Sequence, residues 1–553
     1  MDTRVSRDNK ALLPSNDPRR QCAVDGAARR GNREPRAARA SVAENLALVL
    51  AVSLTPFALS ACFGAEFTFT ASSVGTGGSG GQGGIGGDGG GGGTPAGCIP
   101  SESAEPIAEE CGIHVSSSLG ADGGPGTRAQ PYRSLTEAIA NANGKPIYAC
   151  GEEFHEPVQV PAGVAIYGAL ACGNGWAYDV QAQTYITADP DVVPIKFLAG
   201  EQGIALQDFV VIAADASVAE GSSIAAIAEA VPLALTRVDL RSGQGMPGRH
   251  GETPMDSVGP TSPDDDAIRG NEGLNACLST NQQLGGNAKT NDFCLPAGSI
   301  GGSGGNGAVA NGSNGNAPAA DASTALGGTG QPTVEIPGMP WSCAVGVGAT
   351  GNNGAVGAPG LGAQGDLSLG TIDGAGYVGV PGQPGGIGLP GQGGGGGGGA
   401  KGKAMCAGAS GGGGGVGGCG GNGGLGGGAG GASIALISLG ATFSFEAVYL
   451  KPGNGGTGGD GGDGQIGGAG GVGGVGGAGE GTLPACRGGD GGLGGFGGKG
   501  GGGRGGHSIG LAYIGSAPSL VGIGFELGVP ALGGVGDPGN DGEMGIAQNT
   551  QSF

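Results

Sequence analysis

The sequence predicts an all-β fold, a short solenoid of stacked strands, and three observations predict it. The first is a rung that recurs in one register: Ser223-Ile224-Ala225-Ala226-Ile227, Ser433-Ile434-Ala435-Leu436-Ile437 and Ser508-Ile509-Gly510-Leu511. Counting twenty residues from each serine reaches Gly243, Gly453 or Gly528, and three before each glycine stands Leu240, Leu450 or Phe525. A phased rung whose copies lie far apart is the mark of a stack interrupted by long excursions. The second is a series of short apolar runs between 146 and 240, each bounded by Gly, Pro, Asn or Asp and none with helical spacing. The third is composition. Glycine supplies 139 of 553 residues and aromatics only 4%, so a core can form only where the apolar residues are concentrated, at about 113–240, 432–452 and 508–527.

Taken from the start, the chain opens with a basic stretch that includes Arg29, Arg30, Arg33, Arg36 and Arg39, followed by the apolar run Leu46 to Leu59. A basic segment before an apolar run too short to span a bilayer is a secretory signal. It ends at Leu59-Ser60-Ala61-Cys62, which resembles a bacterial lipobox; the resemblance implies cleavage before Cys62 and lipidation of that residue. Phe63 stands where an aspartate would retain such a lipoprotein at the inner membrane, so the resemblance points to the outer membrane or cell surface. Glycine, serine and threonine then dominate up to Gly97, a flexible tether.

Ile113-His114-Val115 begins the ordered part. After a Gly- and Pro-rich loop, Ser134 and Glu137 have capping-box spacing, and Leu135, Ala138, Ile139 and Ala142 recur at helical intervals, predicting a short amphipathic helix over 134–141. The stretch Asp122-Gly123 … Gly126-Thr127 … Pro131-Tyr132-Arg133-Ser134-Leu135-Thr136-Glu137-Ala138-Ile139 resembles the N-terminal signature of pectin-lyase-like proteins. That resemblance implies a right-handed parallel β-helix with this helix as its N-terminal cap.

The rungs follow. Shifting by 29 residues superposes Ile195 on Ile224, Leu206 on Leu235, Phe209 on Val238 and Val211 on Leu240, so a fourth copy adjoins the first. Short strands at such a period suit a coil that returns one strand spacing further along an axis. The rungs at 223 and 433 both leave at a glycine, Gly243 and Gly453, so the two glycine-rich insertions should leave one corner and lie side by side.

Within the insertions, Gly-Gly-X triplets such as Gly467 to Ala478 admit two states. One is a polyglycine-II arrangement, three residues per turn with bonds only to neighbouring segments; the other is disorder, favoured by glycine's backbone entropy. These insertions resemble PGRS-type glycine-rich sequence. Gly376 to Gly391 has glycine at every third position with Pro381, Pro384 and Pro390, a collagen-like pattern too short for a triple helix. Gly455 to Asp460 matches only part of a calcium nonapeptide, because Gly462 stands where a large apolar residue is required.

Net charge is −21, and the first 61 residues carry ten basic against six acidic side chains, leaving −25 on the remainder, which argues against a nucleic-acid partner. Ten cysteines after Cys62 in an exported chain indicate disulfides. Sequence neighbours would pair Cys98 with Cys111, Cys150 with Cys172, Cys277 with Cys294 and Cys406 with Cys419, leaving Cys343 and Cys486 over. No Cys-x-x-Cys occurs and His114, His155, His250 and His507 stand apart, so neither a metal nor any other cofactor is expected. Asp208, Arg237, Asp239, Arg241 and Lys451 fall on the rungs and would suit either catalysis or a ladder of ion pairs, while Asp264, Asp265 and Asp266 form an acidic loop patch.

The expected organisation is an N-terminal extension and signal peptide (1–61), a tether (62–97), the cap and first coils (98–242), an insertion (243–431), a rung (432–453), a second insertion (454–506), and a final rung with a glycine-rich tail (507–553). The expected function is that of a non-enzymatic, lipid-anchored surface protein, structural or adhesive. Its partners would be the membrane and extracellular polysaccharide or other surface proteins. The alternative is a polysaccharide lyase or glycoside hydrolase on the same fold.

Overall fold

Apolar residues spaced for strands stack here into two parallel sheets. The computed structural model describes residues 97–103, 105–256, 258–294, 298–318, 324–349 and 369–553, all within one compact unit, Asp88–Phe553. The expected N-terminal extension, signal peptide and tether, with Cys62, fall on residues 1–96, outside the described residues. Strand accounts for 24% and helix for 4%, so the protein is mostly β, with large parallel sheets and, among the described residues, no closed barrel.

The main path of the eleven-stranded sheet runs through Ile113–Val115, Ile147–Cys150, Ala165–Ala171, Ile204–Ile212, Pro232–Arg241, Val448–Lys451 and Ile523–Phe525. The six-stranded sheet stacks Val158–Val160, Ile195–Phe197, Ser223–Ala228, Ser433–Leu439, Ser508–Ile514 and Ala547–Ser552. From Ser223 onward the chain visits the two sheets alternately. Parallel register puts like residues on one another, so the core consists of columns. One runs Ile113, Ile147, Ile166, Leu206, Leu235, Phe445. A second runs Phe154, Ile186, Val211, Leu240, Leu450, Phe525, and a third Val158, Ile195, Ala226, Leu436, Leu511. Most of these side chains are fully buried, and each such burial stabilises by about 1.5–3 kcal/mol.

The rungs at 223, 433 and 508 pair serine on serine and isoleucine on isoleucine. The 29-residue shift holds for Leu206 with Leu235, Phe209 with Val238 and Val211 with Leu240, but Ile195 pairs with Ala226 rather than Ile224. The connection between the two sheets in the earlier layer is two residues longer, which displaces its first strand by one period of side-chain alternation.

The predicted helix is present as Leu135–Ala140, with the Ser134 hydroxyl accepting the Glu137 N–H. Glu137 does not complete a capping box; its carboxylate accepts the Gly123 N–H, and Glu156 accepts the first-turn N–H groups of Leu135 and Thr136. The helix packs on Ile113–Val115 and Val158–Val160, the terminal strands of both sheets, and so covers that end of the stack.

The glycine-rich segments lie alongside one another and bond laterally. Gly382, Gly385, Gly388, Gly391, Gly394 and Gly397 donate in turn to the carbonyls of Gly427, Gly424, Gly421, Gly418, Gly415 and Gly412. The same segment sends Gly415, Gly418, Gly421, Gly424 and Gly427 N–H groups to Gly489, Gly492, Gly495, Gly498 and Gly501. Each segment thus bonds a given neighbour at every third residue and leaves the other two positions of its turn for other neighbours, the periodicity of a three-residue helix without internal bonds. The collagen-like stretch is one of these segments. Backbones approach so closely that a Cβ on Gly424 would lie 2.0 Å from the Gly462 carbonyl oxygen, so residues 393–400 and 406–419 are buried with almost no side chain.

Cys98–Cys111 and Cys150–Cys172 are disulfides between sequence neighbours. The neighbour rule fails in the insertions, where the bonds are Cys277–Cys406, Cys294–Cys419 and Cys343–Cys486, separated by 129, 125 and 143 residues. The physical reason is that segments adjacent in the bundle are distant in sequence, so Cys343 and Cys486, unassigned by the neighbour rule, meet across it.

Candidate functional site

Two regions are built with enough specificity to carry function: the corner where the insertions leave the sheets, and the outer surface of the larger sheet. At the corner, Ser223, Ser433 and Ser508 stand in one column. Each hydroxyl accepts the N–H of the glycine twenty residues on: Gly243 at 2.8 Å, Gly453 at 2.7 Å and Gly528 at 3.0 Å. Ser433 also donates to the Gly243 carbonyl of the preceding layer at 2.6 Å, so one side chain ties two layers together. A Cβ on Gly453 would lie 2.7 Å from that same carbonyl oxygen, which requires glycine there.

From this corner the excursions leave in register. Gly245, Gly248 and Gly251 donate to Asn454, Thr457 and Asp460, and Gly455, Gly458 and Gly461 donate to Val529, Leu532 and Val535. The bundle exposes a ridge at three-residue spacing along 490–499, with Leu493 and Phe496 half exposed between Asp490 and Lys499.

On the outer surface of the larger sheet, register rows place charged residues from distant sequence side by side. His155, Thr187, Ile212, Arg241 and Lys451 form one row, and Tyr185, Val210, Asp239 and Tyr449 the next. Arg241 bonds Asp239 at 2.6 Å, Lys451 lies 3.5 Å from Asp239 and 3.7 Å from Glu526, and the Lys451 ammonium sits over the Tyr449 ring. These are partly exposed pairs, each contributing about 0–1 kcal/mol.

Asp208 and Arg237 are better buried and differ in backbone. Both have left-handed backbone, with φ of 63° and 52°, and Ala447 at 53° and Gly522 at 81° continue the column. Four layers therefore bend at the same point, at a cost of roughly 1 kcal/mol for each residue with a Cβ. The bend directs Arg237 at Asp208, which it grips with two nitrogens at 2.6 and 2.9 Å. The Asp208 side chain is only 6% exposed, and its hydrogen bonds hold the Arg237 guanidinium above its ordinary pKa. Tyr178 donates to Asp208 at 3.2 Å, and burial followed by the Asp208 charge raises its phenol.

One cluster has no mark in the sequence. His155 Nδ1 lies 2.9 Å from the Thr187 hydroxyl and its Nε2 3.2 Å from Asp189, a hydroxyl–imidazole–carboxylate line at the exposed edge of the same surface. Thr187 donates its proton to Glu153 at 2.7 Å, so the imidazole is the donor towards Thr187, opposite to the polarity a nucleophile needs. Strand pairing of His155 with Thr187 creates the cluster, and residues 32 apart give no sequence periodicity that would announce it.

The acidic loop is partly neutralised, since Arg269 contacts both Asp266 and Glu272. Beside it an open hollow of about 540 Å³ is lined by Asn271, Asn287, Lys289, Asp292 and Phe293. Among the described residues no group of three or more His, Cys, Asp or Glu side chains is placed to hold a metal ion. No described helix is long and apolar enough to cross a membrane. No family model matches this chain, and no curated protein or solved structure matches it significantly.

Proposed function

We propose that the protein is a non-enzymatic lipoprotein of the cell surface or outer membrane, anchored through Cys62, in which a right-handed parallel β-helix displays polyglycine-II segments as an adhesive or matrix-forming surface. The observation that carries this reading is the serine–glycine corner, from which three glycine-rich excursions depart in register and bond one another. A bundle held by backbone bonds and three long disulfides presents a rigid surface with little side-chain chemistry, which suits packing against other chains or extracellular polysaccharide better than turnover. The resemblance of 113–145 to the pectin-lyase-like signature supports a capped β-helix, and the PGRS-like triplets support the display role.

Two experiments test it. Cys62→Ala should move the protein from the membrane to the soluble fraction; unchanged fractionation refutes the anchor. Binding of the full chain to immobilised polysaccharides and to whole cells should survive loss of the charged row but fall when the bundle is opened by reduction.

A second reading is favoured by one observation, the gathering of Asp208, Arg237, Asp239, Arg241 and Lys451 on the surface that also holds His155 and Thr187. It makes the protein a polysaccharide lyase or glycoside hydrolase. Cleavage of acidic or neutral polysaccharide, with or without Ca²⁺, that disappears on changing Asp208 or Asp239 would establish it over the first.

A further inference from the structure

The smaller sheet is apolar on both sides, and its second side is covered by a piece of the first insertion. Ile224, Ile434 and Ile509 form a column there, joined by Ile227 and Ile437. A hairpin of Thr371–Asp373 and Gly376–Val378 lies against it through Ile372 and Tyr377, and its tip is tied to the sheet where Lys196 donates to the Gly374 carbonyl at 2.9 Å. Phe553, just beyond the last strand, packs edge-on to Tyr377.

His507 joins the hairpin, the last strand and the sheet at one ring. Its ring is fully buried and meets Tyr377 edge-on at 5.5 Å. Nδ1 accepts the N–H of Ile546, which precedes the Ala547–Ser552 strand, at 3.0 Å, and Nε2 lies 2.9 Å from the carbonyl of Leu369 at the base of the hairpin. An amide can only donate and a carbonyl only accept, so the neutral tautomer carrying hydrogen on Nε2 satisfies both at once.

We infer that His507 is a proton-operated clasp: neutral, it holds the hairpin and the Ala547–Ser552 strand against the smaller sheet, and protonated, it releases them and uncovers the isoleucine column. A proton on Nδ1 would face the Ile546 N–H, replacing a hydrogen bond with two opposed donors in a buried site. The charged and titratable neighbours oppose the cation or ignore it. Arg504, three residues before it, adds positive charge and is bonded to Glu543 at 3.1 Å, while Tyr377 on the hairpin is kept neutral by burial. Burial lowers the His507 pKa to about 4, against the upward pull of the Leu369 carbonyl and with the help of Arg504. A released histidine titrates near 6.5. The closed form is therefore fully favoured above about pH 6.5 and loses its advantage as pH falls towards 4, by up to about 300-fold in the opening equilibrium. This goes beyond the display role and does not depend on the lipid anchor.

The test is hydrogen–deuterium exchange on the full chain, disulfides intact, from pH 7.5 to 4.5 and corrected for intrinsic rates. Peptides covering 371–378 and 547–552 should lose protection as pH falls, while peptides from Pro232–Arg241 keep theirs. In His507→Gln, whose amide can accept from Ile546 and donate to Leu369 without titrating, that loss should vanish. Constant protection in the wild type, or an equal loss in the variant, overturns the clasp. Should the variant fail to fold, titration of the wild-type His507 imidazole by NMR decides instead: a pKa below 5 is expected, and one near 6.5 overturns the clasp.

Discussion

Ser433 fixes Gly453 from twenty residues away, accepting its N–H at 2.7 Å while donating to the carbonyl of Gly243 in the layer beneath at 2.6 Å. The hydroxyl closes its own layer and joins it to the previous one at the point where both insertions begin. Replacing Ser433 by Ala leaves a partly buried N–H and a carbonyl without that partner, a loss of about 1–3 kcal/mol. Denaturant unfolding followed by circular dichroism should register it, and a change within about 0.3 kcal/mol would refute the role.

The columns predict where the sheets are most sensitive. Leu436 lies between Ala226 and Leu511 and is fully buried, so Leu436→Ala should cost about 2–5 kcal/mol. Exposed Tyr449→Ala, on the outer surface, should cost less than about 1 kcal/mol by the same measurement.

Much of this was legible in the sequence because a parallel stack repeats its hydrogen-bonding chemistry. The serine-to-glycine distance of twenty is the span of one layer closed by a side chain, so the spacing that follows Ser223, Ser433 and Ser508 carries the register by itself. The Ser134 cap is equally local. What could not be read depends on distance in space alone. Cys277 finds Cys406 because the bundle sets them together, His155 finds Thr187 only through strand pairing, and Ile195 falls two residues out of phase through one longer connection. The hairpin over the isoleucine column carries no signal beyond Ile372 and Tyr377 within a glycine-rich run.

Reduction should separate the two halves of the structure. The three insertion disulfides close loops of more than a hundred residues, each constraining the unfolded bundle by roughly 5 kcal/mol on the chain-entropy estimate. With mild reductant, limited proteolysis should cut within 245–345, 380–430 and 455–505 while the Ile204–Ile212, Pro232–Arg241 and Ser433–Leu439 strands stay intact. Simultaneous loss of both would contradict separate stabilisation.

Acid should destabilise the N-terminal end. His114 is fully buried between Tyr148 and Trp176, and burial, with a smaller contribution from Arg128, lowers its pKa to about 4. Unfolded, it binds a proton near pH 6.5; folded, only near 4. Stability is therefore present above about pH 6.5 and falls by about 3 kcal/mol as pH drops to about 4. His114→Phe should flatten that part of the pH profile, and an unaltered profile would rule His114 out as its source.

The most direct measurement is hydrogen exchange at neutral pH across residues 409–430 and 486–506. If glycine-rich sequence forms an ordered bundle seated on the sheets, these amides are protected at least a hundredfold over the unfolded rate, approaching the Ser433–Leu439 strand; exchange at the unfolded rate would contradict it.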